Sequence, residues 1–237
     1  MNSIKGIIFD YGGTIDTNGI HWGEVIWEQY LKAGVDIDRE LYRAAYVHAE
    51  RALAAQRIIM PDDTFRTLLD KKIAQQFAFL QLQSTAPQTT VEQQKEVARL
   101  CYEKVLLTLH TTCGIVEELS RNYPLVLVTN FYGNMPVVLK EFSLDRFFPT
   151  IIESSVVGLR KPDPQLFALG VKATGLAPEE ILVVGDSYRK DIHPARTLGC
   201  KAVWLKKVCW ADEPIIPGAE PTAIIESLEE LPQLLKR

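Results

Sequence analysis

Four short stretches of this chain carry side chains that could do ionic or covalent chemistry together. Asp10-Tyr11-Gly12-Gly13-Thr14 follows Ile-Ile-Phe, and Thr129-Asn130 follows Leu-Val-Leu-Val. Lys161 lies in Gly-Leu-Arg-Lys-Pro-Asp-Pro, and Asp186 and Asp191 lie in Val-Val-Gly-Asp-Ser-Tyr-Arg-Lys-Asp-Ile. Carboxylates such as Asp10, Asp186 and Asp191 can hold a divalent metal; Mg²⁺ typically takes one or two of them and completes its shell with water and substrate phosphate. A lysine, hydroxyls such as Thr14 and free backbone amides neutralise phosphoryl oxygens. The residue types alone point to phosphoryl transfer.

Those residues must be brought together by the elements that carry them. Ile4–Phe9, Leu125–Val128 and Ile181–Val184 are compact apolar runs without polar alternation, the pattern of strands covered on both faces. Each ends in one of the polar clusters. Further strands are expected at Ala202–Leu205 and around Ile151–Ile152, with helices at Ile115–Arg121, Met135–Phe142, Pro164–Thr174 and Tyr188–Leu198. Alternating β and α segments predict a doubly wound, Rossmann-like parallel α/β sheet. Ligands of such sheets bind outside the carboxyl ends of the strands, which is where the clusters fall.

Residues 18–110 read differently. Glu24–Ala33, Asp38–Gln56, Asp62–Leu82 and Thr90–Leu109 have helical periodicity, with start signals at Asp38 and at Pro61-Asp62-Asp63. Breaks are expected at Gly34, Ile58–Pro61 and Ser84–Pro87. The chain therefore divides into a core of residues 1–17 and 111–237 and an all-helical insertion of residues 18–110 after the first strand. No internal repeat or low-complexity tract is visible.

With these four motifs in this order, the chain resembles the haloacid dehalogenase superfamily over nearly its whole length. The helical insertion resembles the family's first-position cap, and the 31 residues between Thr129 and Lys161 leave no room for a large second-position cap. The resemblance implies a Mg²⁺-dependent phosphatase acting on a small phosphorylated metabolite. It makes Asp10 the nucleophile that becomes an aspartyl phosphate, splitting hydrolysis into two displacements. It assigns the metal to Asp10, Asp186 and the main-chain carbonyl of Gly12, with Asp191 in support. It gives Thr129 and the amide of Asn130 to phosphoryl oxygens and Lys161 to charge neutralisation.

Gly12 departs from the family pattern. The family's phosphatases usually carry there a second Asp, acid to the leaving group and base to water. Glycine keeps the carbonyl and deletes the proton transfer, which contributes typically 10²–10⁴-fold. Asp16, His21 and residues of the insertion are the candidate replacements. Two alternatives follow: a weakly active or inactive relative that binds a phosphorylated ligand, or an enzyme resembling phosphonoacetaldehyde hydrolases. The latter need a Schiff-base lysine in the cap, for which Lys32, Lys71 and Lys72 are available. A haloalkanoate dehalogenase is disfavoured, because those relatives have a tyrosine at the Gly12 position and lack the carboxylate kept here at Asp186.

The bulk properties agree with a soluble enzyme. The chain has 237 residues, a net charge of −4, 47% hydrophobic and 24% charged residues. That balance excludes wholesale disorder and gives no global attraction for nucleic acid or anionic membranes. The apolar runs are too short to span a bilayer, and Asp10 interrupts the first of them, so no signal peptide is expected. Cys101, Cys113, Cys200 and Cys209 form no CxxC pair, which predicts reduced thiols in a cytoplasmic protein. His21, His48, His110 and His193 lack metal-ligand spacing. Trp22 and Trp27 are expected in the core of the insertion, with Trp22 near enough to the first motif to face the site.

Overall fold

The apolar runs pair side by side in a computed structural model that describes residues 3–83 and 88–236. Strands β1 (Gly6–Phe9), β2 (Leu125–Thr129), β3 (Thr150–Glu153), β4 (Ile181–Gly185), β5 (Lys201–Leu205) and β6 (Ala223–Ile225) form one parallel sheet in the order β3-β2-β1-β4-β5-β6. Every residue of β1, β2 and β4 is buried. Alternate side chains enter opposite layers. Ile7, Phe9, Leu127 and Val184 join one apolar cluster, and Ile8, Val126, Val128 and Val183 the other. Phe9 stands level with Leu127 on one side and Val184 on the other, so the three strands end within two residues of one another. The expected doubly wound sheet is present, with β6 as a sixth strand that its three residues, half exposed at Ile224, left illegible.

Between β1 and β2 the described residues form four helices and no strand beyond an isolated bridge at Ile20: α1 (Trp22–Lys32), α2 (Arg39–Ala55), α3 (Phe65–Gln81) and α4 (Val91–Ser120). The expected start of α3 at Pro61-Asp62-Asp63 is displaced. Thr64 is the N-cap, accepting from the Thr67 amide, while Asp63 closes the preceding turn by accepting from the Met60 amide and from Lys71 Nζ at 2.5 Å. The break expected at Ser84–Pro87 lies outside the described residues. The helices expected at Thr90–Leu109 and Ile115–Arg121 are one 30-residue helix. The apolar stripe simply continues through Val97, Cys101, Val105, Leu109, Thr112, Val116 and Leu119, all buried at three- and four-residue spacing. Thr112 in this stripe donates to Ile15 O at 2.8 Å.

After β2 come α5 (Met135–Glu141), α6 (Ser154–Val157), α7 (Pro164–Thr174), α8 (His193–Thr197) and α9 (Leu231–Leu235). The helix expected at Tyr188–Leu198 is split into a wide π turn over Tyr188–Ile192 followed by α8. Such turns commonly occur at functional sites, and this one carries Asp191. Among the described residues no helix is long and apolar enough to cross a membrane.

Candidate active site

Because β1, β2 and β4 end within two residues of one another, Asp10, Thr129 and Asp186 emerge side by side. The sheet order reverses direction between β1 and β4, the position at which open α/β sheets form their ligand crevice. Carboxylate oxygens of Asp10, Asp186 and Asp191 all lie within 4.8 Å of one another. Lys161 reaches them from the segment before α7: its Nζ donates to Asp10 Oδ1 at 2.5 Å and to Asp191 Oδ1 at 2.6 Å. All three of these side chains are almost fully buried. Burial alone would lower the Lys161 ammonium, but the two carboxylates outweigh it and hold its pKa above the usual value. Burial followed by repulsion from Asp191 and Asp10 pushes Asp186 well above the carboxylate range, and burial raises Asp191 to about 6.

The remaining candidates from the sequence take distinct places. Thr14 Oγ1 donates to Asp10 Oδ2 at 3.1 Å, fixing the carboxylate's second oxygen. Thr129 lines the crevice. Asn130 acts through its side chain, which accepts from the Lys161 amide at 2.9 Å and donates to Lys161 O at 3.1 Å. That two-point clamp sets where the lysine arises.

Gly12 and Gly13 divide the work of the first turn. Gly13 has φ of 99°, and a Cβ there would fall 2.4 Å from Asp186 Oδ2. Only glycine fits. Gly12 has no such constraint; a Cβ would meet nothing nearer than Trp22 Nε1 at 3.8 Å. Trp22 therefore stands beside the place of the absent carboxyl, held there by donating to Asp16 Oδ2 at 2.9 Å. Asp16 also accepts from the Gly13 amide at 2.8 Å, and burial raises its carboxyl to about 7. It is fully buried behind the turn and does not line the crevice, so it is a positioning residue and no replacement acid.

The crevice opens into a cavity of about 420 Å³ whose other wall is the helical insertion. His21, Trp22, Tyr46, Glu50, Phe65 and Lys72 come from that wall, Tyr132 from beyond β2, and Trp210 and Glu213 from the segment after β5. Trp22 thus faces the site, whereas Trp27 packs against Tyr42 under the Arg39 guanidinium. His21 does line the cavity, but burial and then the nearby Lys190 charge lower its pKa to about 3, so at neutral pH it is an uncharged imidazole and no general acid. Of the three candidate lysines of the insertion, Lys32 pairs with Glu28 and Lys71 with Asp63, and only Lys72 lines the cavity. Lys72 Nζ lies 2.7 Å from Glu50 Oε1. Burial alone would lower its pKa, but Glu50 more than offsets this and keeps it an ammonium. It is no free amine for a Schiff base. Glu50, Tyr132 and Trp210 carried no sequence signal, because their relation to the motifs exists only in three dimensions.

A family model described as haloacid dehalogenase-like hydrolase matches residues 4–199, which include all four motifs and the helical insertion. The chain belongs to the haloacid dehalogenase-like hydrolases. It is 35% identical to a phosphoserine phosphatase of Thermus thermophilus over 49% of this chain and 46% of that protein. It is 34% identical to a glyceraldehyde 3-phosphate phosphatase of Pyrococcus furiosus over 40% of this chain and 39% of that protein. The chain thus spans less than half the length of these curated relatives. The HAD-hydrolase YfnB of Bacillus subtilis, solved with magnesium bound, superposes with a TM-score of 0.60 at 17% identity over 99% of both chains. That likeness is one of fold.

The donor set of this haloacid dehalogenase-like hydrolase fits a hard divalent cation. Three carboxylates converge on one point, and Lys161 supplies a single positive charge on one side of them. One ammonium does not neutralise three carboxylates, and crowding adds to the burial that raises Asp186. All-oxygen ligands match Mg²⁺.

Proposed function

We propose that the protein is a Mg²⁺-dependent phosphomonoester hydrolase of a small phosphorylated metabolite, working through an aspartyl phosphate on Asp10. The observation that carries this reading is Lys161 Nζ bridging Asp10 and Asp191 at 2.5 and 2.6 Å at the floor of the cavity, with Asp186 beside them. Asp10, Asp186, Asp191 and the Gly12 carbonyl would hold the ion. When bound, it supplies charge that lowers the repulsion between the anionic nucleophile and the anionic phosphate.

Asp10 is held in one orientation, with Lys161 donating to one carboxylate oxygen and Thr14 to the other. An Asp10 oxygen bonds to phosphorus as the ester P–O bond breaks. Lys161, with Thr129 and the Asn130 amide, takes the charge of the phosphoryl oxygens. Water then attacks the aspartyl phosphate, releasing inorganic phosphate and restoring the carboxylate. With Gly12 in place no carboxyl of the first turn protonates the leaving oxygen, so that proton comes from solvent.

In this reading residues 18–110 act as a cap over a core of residues 1–17 and 111–237, and they enclose a soluble substrate of cytoplasmic metabolism. The four free cysteines support that compartment. A second reading, a slow or non-turning phosphate-ligand binder, draws its support from Gly12 alone. Nucleophile, lysine and metal carboxylates argue for the enzyme, since a mere binder has little need of Asp10. Phosphate release from a phosphomonoester panel with Mg²⁺ separates the readings. Wild type should turn over members of the panel and Asp10→Asn none. A wild type silent on every ester, or an Asp10→Asn protein of equal activity, overturns the proposal.

A further inference from the structure

The wall facing the catalytic floor holds an ion pair that the phosphoryl chemistry does not use. Lys72 of α3 is 6% exposed, and its Nζ lies 2.7 Å from Glu50 Oε1 of α2. Tyr132 Oη donates to the other oxygen of Glu50 at 3.2 Å. The ammonium also sits over the rings of Tyr132 and Trp22, at 5.4 and 5.8 Å from their centroids. Lys72 is taken out of water and Glu50 partly so, with 28% of its side chain exposed, and the cost of such desolvation is often not recovered as stability. An opposite-charge pair kept in a cavity wall therefore invites a role in recognition.

Resting on the phosphatase reading, we propose that Glu50 and Lys72 are the specificity-determining pair, and that they select phosphomonoesters whose far end bears no net charge. Glu50 already claims Lys72, a buried cation of the outer wall. A substrate with a lone carboxylate at its far end would have to share Lys72 with Glu50 and would meet the Glu50 charge at close range, in a low-dielectric site. A far end of hydroxyls, or one with an ammonium and a carboxylate together, adds no net charge. It can accept from Lys72 and donate to Glu50 at once. Rejection by a resident like charge is a common route to selectivity. Arg160, Arg189 and Lys190 also line the cavity, but they are exposed at its mouth. Salt weakens the pull of such exposed charges on an incoming anion, and Lys190, whose charge reaches the pair, acts with Lys72 to hold Glu50 ionised. Burial alone would raise the Glu50 carboxyl, but Lys72 outweighs it and holds its pKa below the usual range, so the pair stays charged at neutral pH.

Steady-state turnover of glycerol 3-phosphate and phosphoglycolate by the full chain with Mg²⁺ tests this. Acetyl phosphate, whose far end is a methyl group, serves as the reference substrate, and thermal melts check folding. Wild type should favour glycerol 3-phosphate over phosphoglycolate by tenfold or more in kcat/KM. Glu50→Gln releases Lys72 and should shift that ratio toward phosphoglycolate by at least tenfold. Lys72→Met leaves Glu50 alone and should shift it the other way. A structural role would move both variants together. A ratio that stays fixed in whichever variant folds, or a wild type that prefers phosphoglycolate, overturns the inference while turnover of acetyl phosphate leaves the phosphatase reading standing. Failure of wild type on all three substrates overturns both.

Discussion

At the scale of single residues, Gly12 and Gly13 look alike in the sequence and are opposites in the structure. Gly13 is required by its φ of 99° and by Asp186, 2.4 Å from where its Cβ would lie. Gly12 is free to accept a side chain, with Trp22 Nε1 at 3.8 Å as the nearest obstacle. Gly12→Asp should therefore fold and place a carboxyl where the leaving oxygen departs. Its turnover of alkyl phosphates should rise by about one to three orders of magnitude, within the range of general acid–base catalysis. Wild type should meanwhile prefer acyl and aryl phosphates, whose leaving groups need little protonation, and its phospho-Asp10 should be trappable on acid quench. A folded Gly12→Asp protein that is slower on alkyl esters than wild type would mean that another group already serves as the acid. Asp186 carries the complementary expectation. Among the three clustered carboxylates it is the one without the Lys161 bridge, and repulsion from the other two adds to the burial that raises its pKa. Asp186→Ala should abolish Mg²⁺ binding measured by calorimetry, together with turnover. Unchanged Mg²⁺-dependent turnover would remove Asp186 from the proposed ligands.

At the scale of elements, α1 is started by His21, whose Nδ1 accepts from the Gly23 amide at 3.0 Å. Burial, with Lys190 second, lowers its pKa to about 3, so the folded state keeps the ring neutral while the unfolded chain protonates it below about 6.5. The unfolded state then binds more protons, and stability falls as pH drops from about 6.5 toward 3. His21→Asn keeps a good N-cap and removes that titration. The melting temperature of the variant relative to wild type should rise steadily across that window, and a difference independent of pH would refute the assignment. Capping at Asp38 was legible from sequence because an N-cap acts on its own helix. Three strands and the four motifs were legible for a related reason: an apolar run ending in a polar cluster is a local pattern. The unbroken α4 was not, since it is held from another segment, by Ile15 O accepting the Thr112 hydroxyl. Nor was the Asn130–Lys161 clamp, or the meeting of Glu50 with Lys72, because no local pattern relates residues on separate elements.

At the scale of the whole molecule, the chain passes between sheet and helical insertion twice, through residues 17–21 and through α4. The second passage is a continuous helix about 45 Å long at 1.5 Å per residue, so it is stiff. The first is pinned: the Val208 amide donates to Gly19 O at 3.0 Å and the His21 amide to Val208 O at 2.9 Å. Two residues on, Trp210 leaves the sheet side and packs into the insertion. Its indole stacks on His21 with centroids 5.4 Å apart and lies 4.9 Å from Tyr46, under the Arg43 guanidinium at 4.1 Å. Arg43 also donates to Trp210 O at 3.2 Å. A Cβ on Gly23 would stand 2.2 Å from the ring, so α1 needs glycine there to admit it. Trp210 thus fastens the cavity's outer wall to the sheet while lining the cavity itself. Removing a buried Trp costs about 3–5 kcal/mol, and this one is partly exposed, so Trp210→Ala should cost roughly 2 kcal/mol. At about 2–4 °C per kcal/mol for a chain of this length, the melting temperature should fall by roughly 4–8 °C. Gly23→Ala, which evicts the ring from the other side, should reproduce the effect. In both variants hydrogen exchange should quicken in α1 and α2 and stay unchanged in α7 and the central strands. KM for a small phosphoester should rise more than kcat falls, because the floor with Asp10 and Lys161 is untouched while the wall that encloses the substrate is loosened. Equal quickening throughout the chain would make Trp210 an ordinary core residue, and unchanged exchange in α1 and α2 would show that α4 and the Gly19–Val208 pairing hold the insertion without it.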